Sequence, residues 1–158
     1  MWTVAGILEA VDGRLMEQAL APETLRRIPV ERIALDSRRV NPGEAFVALT
    51  GKRLDAHAFV PEAVGRGAAC LVVSRALEPR VSVPTIQVED TTRALGRLAA
   101  AHRRRFTLPV VAITGSCGKT TTKELLAHLL SHRHQVLKTA GTQNNHIGVP
   151  LTLLQLAA

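Results

Sequence analysis

The chain has 158 residues, of which 46% are hydrophobic and 21% are charged, a balance typical of a folded globular chain. No apolar run approaches the roughly 20 residues that a membrane-spanning helix needs, and the first residues lack a signal-peptide pattern. Two cysteines, Cys70 and Cys117, are too few for a disulfide framework. These features predict a cytoplasmic protein and argue against a secreted, disulfide-stabilised or membrane-inserted one.

The chain is basic, with 20 Lys and Arg against 13 Asp and Glu and a net charge of +7. Such a charge suits anionic partners: nucleic acids, membrane surfaces or phosphorylated small molecules. Binding of single-stranded nucleic acid depends on aromatic stacking, and this chain has one Trp, three Phe and no Tyr. We therefore expect a phosphorylated small molecule, and no nucleic acid, as the partner.

Strands alternate with helices along the chain, which predicts an α/β fold. The first helix is capped by Thr3, and a later one by Asp90. A further short helix is expected over residues 59–64. Strands are expected at residues 33–35, 45–49, 69–73 and 85–88. Together they predict a small N-terminal α/β domain over residues 1–106.

A second unit, residues 107–158, follows a linker-like segment. It is predicted to contain a strand at 110–113, a helix from about 119 to 130, a strand at 135–137 and a helix that starts at Pro150. The first of these helices offers an apolar face for a core, formed by Leu125, Leu126, Leu129 and Leu130. The pattern is that of the first β-loop-α-β unit of a parallel-sheet domain.

A glycine loop joins strand 110–113 to the next helix. Glycines let backbone N–H groups approach a phosphate closely at the positive end of a helix. The motif predicts that Lys119 reaches the β/γ-phosphates of ATP and that the Thr120 hydroxyl binds Mg²⁺. The ATP-binding residues of this P-loop are expected to be Gly115, Ser116, Cys117, Gly118, Lys119, Thr120 and Thr121.

The spacing is the short form G-x-x-G-K-T, since Ile113 stands where the longer P-loop motif has its first glycine. The alternative is a glycine turn whose lysine lies on the surface. The apolar strand, two loop glycines, Lys-Thr pair and following helix occur in register, and this favours phosphate binding.

Six segments, at residues 36–38, 41–49, 51–57, 65–68, 114–122 and 144–150, carry a resemblance to a known family. From about residue 30 to its end the chain resembles the Mur ligase and folylpolyglutamate synthetase superfamily. Segment 144–150 is similar to the member that adds D-alanyl-D-alanine. The chain departs from many relatives at Thr142, where they carry the first Asn of Gly-Asn-x-Asn-Asn.

The resemblance implies an ATP-dependent, amide-forming ligase of peptidoglycan synthesis. ATP would phosphorylate the terminal carboxylate of UDP-N-acetylmuramoyl-tripeptide, and the amine of D-alanyl-D-alanine would attack the acyl phosphate. Lys119 would be the catalytic residue, stabilising charge together with the loop amides and Mg²⁺. The family's Mg²⁺-binding glutamate, modified lysine and third domain are not in this sequence, so we expect a monomeric, inactive chain.

By the same resemblance the N-terminal domain holds the UDP end of the substrate. Ser37 and Arg38 would lie against the diphosphate, although a polar strand exit is the alternative. The uracil side would be lined by Lys52, Arg53, Asp55, Ala56 and His57. Asn144 and Asn145 would face the substrate or the phosphates, with a turn before the Pro150 helix as the alternative.

Three other functions remain open. A different P-loop kinase or GTPase would need an acidic metal ligand, but no acidic residue follows Glu124. A non-catalytic nucleotide- or UDP-sugar-binding module would use the same loop and cleft without ligation. A sibling ligase that adds the diamino acid has a similar N-terminal domain, and segment 144–150 distinguishes it.

Overall fold

A computed structural model describes residues 1–16, 20–51, 54–141 and 144–157. The chain divides into two compact units, Met1–Leu98 and Ala99–Ala158. Over the described ranges, no helix combines the length and apolar character needed to cross a membrane.

Among the described residues up to Arg103 there are seven strands and four helices, apart from two short 3₁₀ helices at Ser37–Arg39 and Ala56–Phe59. In chain order they are β1 (Trp2–Thr3), α1 (Val4–Val11), β2 (Arg14–Leu15), α2 (Pro22–Arg27), β3 (Pro29–Val30), β4 (Ile33–Ala34), β5 (Ala45–Val47), α3 (Val60–Gly65), β6 (Cys70–Val73), β7 (Thr85–Gln87) and α4 (Thr91–Arg103). The predicted α/β architecture is confirmed.

A five-stranded sheet in the order β2-β7-β6-β5-β4 organises this unit. Strands β4 to β7 are parallel and adjacent in chain order, whereas β2 pairs antiparallel with β7. A separate two-stranded sheet joins β1 to β3. Because the four parallel strands run the same way, the segments that follow them meet at one edge of the sheet.

The central strands are buried along their whole length, because their side chains alternate between the two faces of the sheet and both faces are covered. Phe46, Leu71 and Val73 belong to one core cluster together with Val60 and Ala63 of α3. The intervening strand residues are equally buried, and these are Ala45, Val47, Cys70 and Val72. This continuous apolar pattern is what the sequence showed at residues 45–49 and 69–73.

Both predicted helix caps are present. The Thr3 hydroxyl accepts a hydrogen bond from the Gly6 N–H at 3.1 Å, and α1 buries Val4, Ile7 and Val11. The Asp90 carboxylate accepts from the N–H groups of Thr92 and Arg93 at the start of α4. Caps of this kind stabilise a helix by about 1 kcal/mol each.

The second unit has two helices of its own, α5 (Lys119–Ser131) and α6 (Gly148–Leu153). The predicted strands at 110–113 and 135–137 are wrong, because the structure has no strand in either segment. A strand exists only through hydrogen bonds to a neighbour, and no described residue pairs with these segments. Val110 and Val111 are accordingly 58% and 63% exposed.

The predicted core face of α5 is also largely uncovered. Leu125 and Leu129 are 60% and 67% exposed, and the buried residue of this helix is Ala127. An apolar stripe shows which face of a helix needs a covering layer, and the described residues of this unit form no sheet over it. Helix α6 begins at Gly148 instead of Pro150, which lies in its first turn, where proline is tolerated.

Candidate functional site

A cleft opens at the edge of the sheet where the parallel strands end. Its walls come from the segments that follow β5, β6 and β7 and from the start of α4. The lining residues are Thr50, Ser74, Glu89, Asp90, Thr91 and Thr92. The sheet topology places the segments after all four parallel strands at this edge, so Ser37–Arg39 after β4 and Asp55 after β5 belong to the same side of the unit.

Ser37 and Arg38 follow β4 but point into different surroundings. Ser37 is 5% exposed, and its hydroxyl donates a 2.5 Å hydrogen bond to a carboxylate oxygen of Glu62. The Arg38 side chain is 78% exposed and donates from Nε and Nη2 to the two Asp36 oxygens, each at 2.9 Å. Hydrogen bonds from Arg38 lower the pKa of the Asp36 carboxyl. Three of the five guanidinium N–H groups of Arg38 remain for an anion.

Asp55, Ala56 and His57 form the start of a 3₁₀ helix. Asp55 Oδ1 accepts from the His57 backbone N–H at 3.0 Å and lies 2.6 Å from His57 Nδ1, while its Oδ2 accepts from Arg75 at 2.8 Å. These interactions, the backbone hydrogen bond first, lower the pKa of the Asp55 carboxyl. Ala56 is 9% exposed. Lys52 and Arg53, also predicted for this site, lie outside the described residues.

The His57 ring is a buried connector between two strand ends. Its side chain is 1% exposed, and its Nε2 accepts a hydrogen bond from the Ser74 backbone N–H at 2.9 Å. Because Nε2 accepts, the ring proton resides on Nδ1 and points at Asp55. His57 thereby ties the segment after β5 to the end of β6, and neither ring nitrogen is left for a ligand.

The predicted P-loop has the backbone that a phosphate site requires. Gly115 and Gly118 have φ angles of +148° and +78°, where side-chain-bearing residues are strained. Helix α5 begins directly after Gly118, with no side-chain cap and no acidic residue in its first turn. The N–H groups at its start are therefore available to an anion, which the helix dipole also favours.

Lys119 folds back over this loop. Its ammonium group donates to the carbonyl oxygens of Gly115 and, at 3.5 Å, of Ser116. Ser116, Cys117 and Thr121 are exposed residues at the same turn, and the Cys117 thiol lies 3.8 Å from the Ser116 hydroxyl. The loop carries a cation and free N–H groups, which together can neutralise a phosphate.

The fit to Mg²⁺ is partial. Thr120 is exposed at the start of α5 and can offer a hydroxyl oxygen. Glu124 accepts hydrogen bonds from Lys138 and, at 3.1 Å, from Lys123, and these lower the pKa of its carboxyl. That carboxylate is therefore neutralised by two cations, and the described residues contain no cluster of three metal-ligating side chains. Thr120 remains the residue that the P-loop motif predicts as a Mg²⁺ ligand.

Asn145 is bound to the backbone ahead of α6. Its side-chain oxygen accepts from the N–H groups of Ile147 at 3.1 Å and Gly148 at 2.8 Å. This is the turn arrangement that the sequence left as an alternative, yet the two amide N–H donors of Asn145 are not used in it. Asn144 is exposed beside it.

Sequence patterns missed three residues at the edge of the sheet. Ser74 and Arg75 follow β6 and contact His57 and Asp55, and Glu62 accepts the Ser37 hydrogen bond from α3. The sequence could have indicated Ser74 and Arg75, because polar residues that directly follow an apolar parallel strand lie at this edge of the sheet. Glu62 lies 25 residues from Ser37, and no local pattern indicates that contact.

Two family models match separate parts of the chain. The model described as "Mur ligase family, catalytic domain" matches residues 29–103. The model described as "Mur ligase middle domain" matches residues 113–158, which include the P-loop.

Two curated relatives illustrate the similarity to known proteins. The UDP-N-acetylmuramoyl-tripeptide--D-alanyl-D-alanine ligase of Escherichia coli (strain K12) is 47% identical over 129 residues, covering 82% of this chain and 28% of the relative. The ligase of the same name from Bacillus subtilis (strain 168) is 37% identical over 155 residues, covering 98% of this chain and 33% of the relative. The chain thus spans about a third of the length of the curated relatives it matches.

Solved structures agree with these matches. MurF from Acinetobacter baumannii has a TM-score of 0.86 and 39% identity, covering 99% of this chain and 33% of that one. The MurF ligase from Thermotoga maritima, solved in complex with ADP, has a TM-score of 0.73 and 38% identity over 81% of this chain and 30% of that one. A 2,6-diaminopimelate ligase structure, at 23% identity and a TM-score of 0.62, shares the fold. The chain therefore belongs to the Mur ligase family.

Proposed function

We propose that this chain is the N-terminal part of a cytoplasmic, ATP-dependent ligase that joins D-alanyl-D-alanine to UDP-N-acetylmuramoyl-tripeptide. The observation that carries the proposal is the P-loop at the start of α5, in a chain whose relatives at 37% and 47% identity bear that activity in their name. The proposal includes a monomeric protein with no nucleic-acid partner and no insertion into membranes.

The two proposed domains would bind different substrates. Residues 1–106 would bind the UDP end of the tripeptide substrate at the edge where the parallel strands end. There Arg38 would offer guanidinium N–H groups to the diphosphate, and the half-exposed Asp55 would border the uracil. Residues 107–158 would bind ATP, as in the ADP complex of the Thermotoga maritima relative.

The chemistry that this arrangement serves is activation of a carboxylate. A carboxylate is a poor acylating agent because its leaving group is oxide, and transfer of the γ-phosphoryl group to it supplies a better one. The transfer brings two anions together, so the site must neutralise charge. Lys119 would exchange its carbonyl contacts for the phosphates, and the free N–H groups of α5 would bind the phosphate oxygens.

Mg²⁺ belongs to the proposal as the usual companion of ATP. When bound, it would neutralise charge between phosphate oxygens, and Thr120 would be its ligand from this chain. Because Glu124 is held by two lysines, we propose no carboxylate ligand among the described residues.

The alternatives have less support. One diamino-acid-adding ligase structure is 23% identical to this chain, against 37% and 47% for the two curated D-alanyl-D-alanine ligases described above. A binding module without catalysis would use the same loop and cleft, but no structural feature favours it over an enzyme domain.

Calorimetry on the purified chain tests the proposal with one substitution per ligand. Lys119→Met should weaken Mg-ATP binding at least about tenfold, because a charge-assisted hydrogen bond to phosphate is lost. Lys138→Met is the matched control, since the Lys138 ammonium group pairs with Glu124 and not with the loop carbonyls that Lys119 contacts. Arg38→Ala should weaken UDP-N-acetylmuramoyl-tripeptide binding about tenfold, with the exposed neighbour Arg39→Ala as control.

Two results would contradict the proposal. If the unmodified chain binds neither ligand, the assignment of both domains fails. If it binds both but each substitution behaves like its control, Lys119 and Arg38 are removed from the sites.

A further inference from the structure

Helix α5 presents two lysines one turn apart, and each holds a different segment. Lys119 and Lys123 are spaced i, i+4 and therefore lie on the same face of the helix. Lys119 donates to the loop carbonyls of Gly115 and Ser116. Lys123 donates to the carbonyls of Thr139 at 2.7 Å and Gly141 at 2.8 Å. The segment 139–141 is thus held on the side of α5 that carries the P-loop lysine.

The three donors of the Lys123 ammonium group are all engaged. Two serve the carbonyls of Thr139 and Gly141, and the third lies 3.1 Å from Glu124 Oε1. The side chain of Lys123 is 17% exposed, far less than the 46% of Lys138. Lys123 therefore holds segment 139–141 and is not a freely solvated cation.

A second contact fixes the same segment. Glu124 follows Lys123 on α5 and accepts from the ammonium group of Lys138, which directly precedes Thr139. This part of the chain is therefore attached to α5 through three residues, Lys138, Thr139 and Gly141. Neither the P-loop motif nor the phosphate chemistry accounts for these contacts.

We propose that Lys123 is a positioning residue: it fixes segment 139–141 against α5, and thereby orients the following Asn144 and Asn145 for contact with bound nucleotide. The part concerning nucleotide rests on the proposed function, whereas the anchoring of the segment does not. Lys123 touches no phosphate in this arrangement, because all its donors are bound to protein oxygens. Its role is to link the position of the asparagine segment to the helix that starts at the P-loop.

Hydrogen exchange measured by mass spectrometry on the full 158-residue chain tests this role in two arms. In the first arm, without nucleotide, Lys123→Met should raise the exchange rates of amides in 139–141 and 144–149 by about tenfold, since two charge-assisted hydrogen bonds are lost. Lys123→Arg, which can still donate to both carbonyls, should retain most of the protection. Lys138→Met removes the contact with Glu124 but leaves both Lys123 bonds to the segment, so it should raise these rates clearly less than Lys123→Met does.

In the second arm, Mg-ATP should protect both 115–121 and 144–149 in the unmodified chain. In Lys123→Met it should still protect 115–121 but no longer 144–149, a selective loss that general destabilisation of the unit would not give. Unchanged exchange in the first arm, or equal loss of protection in both segments in the second, overturns the proposal. If the unmodified chain shows no response to Mg-ATP, the proposed function fails while the first arm still decides the anchoring role.

Discussion

His57 should contribute more to the stability of the first unit than any exposed histidine of the chain. His57→Ala removes the acceptor for the Ser74 N–H and the donor to Asp55, and leaves a cavity at a side chain that is 1% exposed. The lost backbone hydrogen bond is worth about 1 kcal/mol, and the charge-assisted one about 1.5 kcal/mol, the low end of its range because water reaches Asp55. With the cavity added, the expected loss is about 3 kcal/mol.

Urea and thermal unfolding followed by Trp fluorescence provide the assay. Trp2 is the chain's one tryptophan and is 4% exposed in the first unit, so its emission reports on that unit alone. A loss of about 3 kcal/mol should lower the melting temperature by at least about 10 °C for a unit of this size. His57→Gln should lose about half as much, because its amide can replace one of the two hydrogen bonds.

The control is Arg32→Ala, which removes an exposed side chain of the same unit and should change stability by less than about 0.5 kcal/mol. The tautomer gives an independent check: nitrogen NMR of the ring should show Nδ1 protonated and Nε2 unprotonated at neutral pH. A His57→Ala midpoint equal to that of the unmodified chain would refute the role given to this ring. So would a proton on Nε2.

Three further predictions concern charge, thiol chemistry and catalysis. The lowered pKa of Asp55 contributes stability above the unfolded value of about 3.9, and this is lost as the pH falls through the folded value. Urea midpoints should therefore decline below about pH 4, less steeply in Asp55→Asn, and parallel curves would exclude Asp55 as a cause. Iodoacetamide should label the exposed Cys117 well before Cys70, because burial raises the pKa of the Cys70 thiol to about 12. Mass spectrometry should also show that Mg-ATP slows labelling of Cys117, whereas equal rates at both thiols would contradict the assigned burial. The purified chain should form no amide product when supplied with both substrates and Mg-ATP, since the described residues of its second unit offer no free carboxylate to the metal. Chromatographic detection of the product would overturn that assignment.

The parts of the fold that the sequence predicted are those encoded locally. The Thr3 and Asp90 caps lie within three residues of the N–H groups they bind, and the strands from 45 to 88 carry apolar runs. Strands β1, β2 and β3 have two residues each and lie in no apolar run, whereas β4, of the same length, begins the apolar run 33–35. The segment 110–113 shows the opposite error, since it has the apolar pattern of a strand but no pairing partner.

The candidate site likewise combines features encoded locally with contacts between distant parts of the chain. The glycine loop and the helix after it were predictable because their residues are contiguous, and the structure gives Gly115 and Gly118 positive φ angles. The contacts of Ser37 with Glu62 and of Lys123 with Gly141 join residues 25 and 18 positions apart. Such pairs depend on which elements pack together, and this information is absent from any short stretch of sequence.

The antiparallel edge strand β2 determines the order in which the first unit can assemble. Strands β4 to β7 pair with neighbours that follow them closely in the chain, so each can be added as it emerges during synthesis. Strand β2 pairs with β7, and the Arg14 side chain bonds Gln87, 73 residues away. Closing a loop of that length costs entropy before any contact offsets it. Of the five strands of this sheet, β2 is therefore synthesised first and joins last. On the ribosome, β2 cannot pair with β7 until β7 has left the exit tunnel.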